Sequence, residues 1–168
     1  RRVLFRSVDV HALMERSGDK DYYVSFFGGE PMLNWDLIQY AVPILKADPK
    51  NTGINIITNL TMVDAEKAKW IKENNVGVSW SFDGMGSNDS RPLLPLLENT
   101  NPETGELFNG ILDMYNHKKE IIQSLTNGCK VMIWPGNSAS MTENFEFLLE
   151  WGIDHPDFSL VRDDVWTI

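Results

Sequence analysis

Residues 25–31 read Ser-Phe-Phe-Gly-Gly-Glu-Pro: two aromatics running into two glycines, then an acid followed by proline. Glycine gives up side-chain packing, so a pair of them at a strand end marks a tight turn or a close approach to the backbone. With no Cβ at Gly28 and Gly29, a ligand can touch the main chain itself. Backbone groups of Gly28, Gly29 and Glu30 can then accept from an ammonium and donate to a carboxylate. Pro31 lacks an N–H and restricts Glu30 to extended geometry, which keeps those groups pointed outward. The ligand implied is small and zwitterionic, of amino-acid type; the alternative is a tight turn with no ligand.

Outward from this stretch, short apolar, β-branched or aromatic runs recur: YVSFF (23–27), INII (54–57), VGVSWSF (76–82), the run opening at Cys129, CKVMIW, and FSLV (158–161). Most are apolar on both faces, as strands of a covered parallel sheet should be. Segments of helical period lie between them. Residues 34–48 place Leu37, Ile38, Ala41, Ile44 and Leu45 on one face, with Asn34 as N-cap and Pro43 as a kink point. Helices are likewise expected at 61–75, capped by Thr61, at 109–128, closing on Asn127-Gly128, and at 140–152, capped by Ser140 or Thr142 and ending on Gly152. An amphipathic piece at 8–18 precedes them. Alternating α and β means parallel strands joined by right-handed crossovers. The one irregular stretch, residues 85–108, is rich in Pro, Asn and Gly, a length that is functional or disordered in a compact α/β domain.

Parallel α/β folds bind ligands at the carboxyl ends of their strands. Those ends carry Gly28-Gly29-Glu30-Pro31, then Thr58-Asn59, then Ser81-Phe82-Asp83-Gly84 with Ser79 one pleat earlier, then Pro135-Gly136-Asn137. Small polar residues and glycines thus rim strands with apolar bodies.

Composition narrows the partners. The 168 residues hold 15 Lys+Arg against 24 Asp+Glu, a net charge of −9 that repels phosphate backbones, so nucleic acid is not expected. No apolar run approaches the ~18 residues of a membrane span, so no membrane partner is expected. A single cysteine, Cys129, rules out an internal disulfide framework and fits a reducing, cytoplasmic setting.

Taken in order, SFFGGEPMLNWDLI, a strand ending in TN, and SFDG resemble the core of radical S-adenosylmethionine (radical SAM) enzymes, closest in style to the SPASM-type, anaerobic sulfatase-maturating branch. The match runs well over residues 20–92 and loosely over 129–168. The resemblance implies a partial (β/α)6 TIM-like barrel with parallel strands, incomplete at both ends and comprising strands two to six. It implies that S-adenosyl-L-methionine (AdoMet) is held by Gly28, Gly29, Glu30 and Pro31, with Thr58 and Asn59 beside them. Ser79 and Ser81 would meet its carboxylate and ribose, Arg91 would pair that carboxylate, and Asn137 would approach the adenosine. Asp83 joins this set, its other reading being a turn former.

Enzymes of the family pass one electron from a 4Fe-4S cluster to the cofactor, giving a 5′-deoxyadenosyl radical that abstracts hydrogen from a substrate. Here a peptide, protein or small molecule is the expected substrate and a flavodoxin or ferredoxin the expected electron donor. The family's CxxxCxxC loop is absent: Cys129 opens a strand, at the end opposite the rim, and no metal ligand is assigned. Residues 1–7, basic in an acidic chain, are read as an artefactual or truncated end, and 8–168 as a core-barrel fragment that is inactive by itself. A cluster-less relative that binds a ligand or partner without catalysis is the alternative. His11, His117 and His155 do not pair at metal spacing, Trp80 and Trp134 are placed along the barrel wall, and Asp163-Asp164 in a solvated loop.

Overall fold

The computed structural model describes residue 16, residues 20–93 and residues 99–161. The basic end at 1–7, the expected helix at 8–18 apart from Arg16, His11, residues 94–98, Asp163-Asp164 and Trp166 lie outside the described residues.

Five strands form one sheet in the order β1-β2-β3-β4-β5: β1 Tyr22–Phe26, β2 Asn51–Thr58, β3 Gly77–Ser81, β4 Gly128–Ile133 and β5 His155–Leu160. Every neighbouring pair is parallel. Strand order that follows chain order, with right-handed crossovers, puts all connecting helices on one face. The other face is then concave and, among the described residues, lined by strand side chains. This is the α/β arrangement expected, a curved parallel sheet of (β/α) barrel type.

Alternation along each strand separates the faces. Ile54, Ile56, Trp80, Cys129 and Val131 are buried against the helices. Tyr23, Asn55, Ser79, Ser81, Lys130 and Met132 therefore belong to the concave face. Trp80 thus packs in the helix-side core and not on the barrel wall as expected. It stacks on Phe82 at 4.0 Å and meets Tyr115 and Trp151 edge-on or tilted at 5.0 Å each.

The helices follow the predicted segments with different ends. The first, α1 Trp35–Ala47, buries Ile38, Ala41, Val42 and Leu45, so Val42 rather than Ile44 completes its apolar stripe. Asn34 makes no side-chain cap bond. A 3-10 turn, Pro31–Asn34, enters the helix instead, and its first free amide, Met32 N–H, is capped by Glu30. Pro43 is exposed, and the helix runs through it. In α2 Ala65–Glu73 the cap is Asp64, which accepts from Lys67 N–H, and not Thr61. Thr61 lies in a loop that needs its own turn before the helix begins.

The described part of the stretch after β3 is more ordered than its composition implies. It contains a 3-10 turn Gly84–Gly86, a short helix α3 Ser87–Ser90 and an antiparallel bridge between Thr100 and Leu107. Two short helices, α4 Ile111–His117 and α5 Lys119–Gln123, replace the single helix expected over 109–128. The 3-10 turn Ser138–Ser140 leads into α6 Met141–Trp151, which stops at Gly152 in the left-handed region (φ 94°), as its sequence requires.

Replacing Trp80 by Ala removes the side chain on which Phe82, Tyr115 and Trp151 converge. The expected loss is about 3–5 kcal/mol, read from the denaturant midpoint. Phe27→Ala, at a side chain 78% exposed, should stay within about 0.5 kcal/mol.

Candidate functional site

Because all strands are parallel, the carboxyl ends of β1 to β4 share one edge, and the candidate residues gather there. Gly28 and Gly29 adopt φ of +106° and +53°. A Cβ built on either would meet no atom within 4 Å. Packing therefore does not demand glycine at these two positions; backbone conformation does, and the space over them is open.

The Glu30 side chain, to which the sequence assigned no chemistry, fixes this turn. Its Oε1 accepts from Met32 N–H at 3.0 Å and from the Thr58 hydroxyl at 2.6 Å, and its Oε2 accepts from Asn59 N–H at 2.9 Å. One carboxylate thus ties the end of β1 to the end of β2. Thr58 Oγ1 in turn accepts from Leu60 N–H at 3.0 Å, and Leu60 is a buried non-glycine residue at φ +59°. Such backbone costs on the order of 1 kcal/mol or more and persists only when its surroundings hold it. They do: the Tyr115 hydroxyl donates to Asn59 O at 2.5 Å, and Lys118 Nζ donates to Thr61 O at 2.6 Å and Val63 O at 3.1 Å. Burial pushes the Lys118 ammonium below the usual lysine range.

Thr58 is 2% exposed on the helix side, so its hydroxyl serves Glu30 rather than the concave face. Asn59 Oδ1 accepts from Thr61 N–H at 3.0 Å and its hydroxyl at 2.8 Å. Ser79 accepts from Asn55 Nδ2 at 3.0 Å on the concave face, and Ser81 lies one pleat nearer the rim.

Asp83 is 1% exposed and fully engaged. It accepts from Arg91 Nε (2.8 Å) and Nη2 (3.3 Å), the Ser90 hydroxyl (2.6 Å) and Met132 N–H (2.8 Å). Its main chain is gripped as well, Asp83 N–H by Ser87 Oγ at 3.1 Å and Asp83 O by Asn144 Nδ2 at 3.2 Å. Gly84 next to it sits at φ +63°, and a Cβ there would come within 2.0 Å of Asn144 Oδ1. The Asp83 side chain therefore does more than bond its own turn: it anchors Arg91 and the β4 backbone together.

Asn137, 6% exposed, closes the β4 end by accepting from Trp134 N–H and donating to Met132 O, both at 2.9 Å. Trp134 lies over Gly136, where a Cβ would meet its ring at 1.9 Å. A cleft of about 650 Å³ opens here, bordered by Asp83, Arg91, Met132, Trp134, Gly136 and Val161. A second, also about 650 Å³, lies on the other side of Arg91, between Glu30, Asn59, Lys67 and Lys118.

Cys129 does not lie at the far end from the rim. It pairs in register with Trp80, because β4 begins level with the end of β3. What removes it from the site is its face: it is buried toward the helices, and burial pushes its thiol up to about 12. Among the described residues no group of three His, Cys, Asp or Glu side chains is placed to hold a metal ion. A four-iron cluster does not fit the described residues. Among them, too, no helix is long and apolar enough to cross a membrane.

Asn144, Tyr115 and Lys118 carried no usable signal in the sequence, since each lies on a helical segment far from the strand end it serves. Lys130 did carry one, as a charge inside an otherwise apolar run.

No protein-family model matches the chain. It is 30% identical over 148 residues, 86% of its length, to an uncharacterized protein of Methanocaldococcus jannaschii, MJ0907, and covers 48% of that protein. It is 30% identical over 69 residues, 40% of its length, to the radical SAM cyclopropyl synthase TigE of Paramaledivibacter caminithermalis, covering 15% of it. Among solved structures it shares the fold of native anSMEcpe with bound AdoMet, with a TM-score of 0.63 at 15% identity over 92% of this chain and 42% of that one. A peptide-bound form of anSMEcpe, also with AdoMet, gives 0.65 at 15% identity over 97% and 45%. The chain thus spans less than half the length of the proteins it matches. The TigE match relates 40% of the chain to a radical SAM protein, and the solved structures share the fold.

Glu30→Gln keeps the side-chain length but cannot offer two carboxylate oxygens to three donors. It should cost about 1.5–3 kcal/mol, read as faster amide exchange at Asn59 and Leu60, just past β2, than within the strand. Cys129 should resist a thiol reagent at pH 8 until denaturant unfolds the chain. Because its folded pKa is raised above the unfolded value of 9.0 to about 12, the associated stability is complete below pH 9 and lost as pH rises toward 12. Cys129→Ala should flatten that alkaline decline in a pH series of denaturation midpoints.

Proposed function

We propose that this chain provides the AdoMet-binding wall of a radical SAM enzyme acting on a peptide or protein, with a flavodoxin or ferredoxin as electron donor. The observation that carries the reading is the Gly28-Gly29 turn: two left-handed glycines with open space where a Cβ would stand, locked in place by Glu30. That combination makes a rigid, unobstructed strip of backbone, suited to the ammonium of an amino-acid head group. Ser79 and Ser81 offer hydroxyls on the concave face, Asn59 and Asn137 shape the neighbouring strand ends, and Arg91 separates the two clefts. A 4Fe-4S cluster would be held by residues other than those described; with such a cluster, hydrogen-abstracting radical chemistry would come from AdoMet. The residues here bind and orient it, and keep water from one side through the Trp80-Phe82 core beneath.

A second reading, a cluster-less relative that binds a ligand without redox chemistry, is favoured by the single, buried cysteine. Anaerobic reconstitution of the full-length protein with iron and sulfide separates the two: stoichiometric cluster supports the enzyme, none supports the binding module.

AdoMet binding by calorimetry tests the shared part. A few hydrogen bonds in a half-open site, each about 1 kcal/mol net, against an association cost of several kcal/mol, give this 168-residue chain a Kd of about 0.1–1 mM. Gly29→Asn tolerates a left-handed backbone, and its Cβ meets no protein atom within 4 Å, so the chain should fold normally yet lose binding at least tenfold. Unchanged affinity in that variant would mean that the glycines form only a turn.

A further inference from the structure

We infer that Lys130 is the cation that pairs the carboxylate of the bound amino-acid head group, the role that the family resemblance gives to Arg91. The inference rests on the AdoMet reading above. An amino-acid head carries an ammonium and a carboxylate on one carbon, so a site that takes the first on backbone carbonyls needs a positive partner close by for the second.

Arg91 is poorly placed to be that partner. Its guanidinium lies side-on to Asp83, which is 2% exposed by side chain and pairs with no second cation among the described residues. Drawing Arg91 toward another anion would leave a buried carboxylate with its charge uncompensated, an expensive arrangement. Lys118 is committed as well, to the carbonyls of Thr61 and Val63, and Lys67 pairs with its own helix cap, Asp64.

Lys130 differs in each respect. Its backbone is the register partner of Ser81 on one side and of Asp157 on the other. By alternation with the buried Cys129 and Val131, its side chain belongs to the concave face, with Ser79 and Ser81. Its ion pair with Asp157 is long, 3.8 Å, between side chains 47% and 71% exposed. Pairs so open to solvent contribute little, so Lys130 can turn to a ligand at little cost. Asp157 is the charged group of the described strands that faces it across the β4–β5 register. Three strand spacings of about 4.8 Å separate β1 from β4. Across a concave sheet, a bound head group and the four-carbon lysine stem together close that gap. A lysine in this position also departs from the apolar filling that a packed parallel barrel shows on its inner face.

The test is a cycle of two ligands and three variants in the full-length protein, with affinities from anaerobic calorimetry. The ligands are AdoMet and decarboxylated AdoMet, which lacks only the carboxylate. Lys130→Met should weaken AdoMet tenfold or more and the decarboxylated ligand less than threefold. Lys130→Arg should restore AdoMet to within about threefold, because the charge is kept. Arg91→Lys should weaken both ligands by the same factor, through the Asp83 turn. Equal losses for the two ligands in Lys130→Met, or a carboxylate-selective loss in Arg91→Lys, would overturn the assignment while leaving AdoMet binding intact. Failure of the unaltered protein to bind either ligand would instead overturn the parent reading, and Lys130 with it.

Discussion

The carboxylate of Glu30 sits where two strand ends must be held at a fixed separation. Main-chain hydrogen bonds align β1 and β2 along their bodies, but these stop where the strands stop, and the loops beyond would diverge. Glu30 continues the pairing one step further with side-chain oxygens, taking the Thr58 hydroxyl and the amides of Met32 and Asn59. Bonds to an ionised acceptor are stronger than neutral ones, and three on one group leave it a single orientation. The left-handed glycines before it and the strained Leu60 after Thr58 can persist because this anchor lies between them. A binding strip made of backbone has no side chain of its own to stiffen it, so rigidity has to come from a neighbour.

A similar arrangement appears at the end of β3. Asp83 gathers Arg91, Ser90 and the β4 amide of Met132, while Asn144 from α6 holds its carbonyl and the amide of Met85. β3 and β4 share only two register pairs, Trp80–Cys129 and Ser81–Lys130. The Asp83 network supplies, through side chains, the connection that so short a ladder cannot. The same network ties up Arg91, which leaves Lys130 as the positive charge of the concave face among the described strands.

Below the rim the architecture follows from strand order. Neighbours in sequence are neighbours in the sheet, so the helices cover one face and the aromatic group around Trp80 fills the layer between. The opposite face carries Tyr23, Ile57 and Met132 together with serines, an asparagine, a lysine and an aspartate. The polar groups among them suit a cavity wall rather than a core.

The sequence by itself determined the elements and their class. Apolar runs at a spacing of one helix each specify parallel strands, because a crossover requires that intervening length, and all five strands were legible for that reason. Gly28, Gly29 and Gly152 were legible because only glycine adopts those backbone angles freely. Tertiary structure decided what the polar side chains do. Thr58 and Asn137 read as rim residues, yet face inward to carboxylate or backbone partners that are distant or a turn away. The Glu30 side chain, given no role in the sequence beside its backbone, organises the site because its partners Thr58 and Asn59 lie 28 and 29 residues downstream. The level of Cys129 was misjudged for a related reason: the stagger between β3 and β4 is set by packing and by the Asp83 network, and no local pattern encodes it. Backbone preference acts within a few residues and can be read locally; a hydrogen bond between strand ends exists only once the chain has closed on itself.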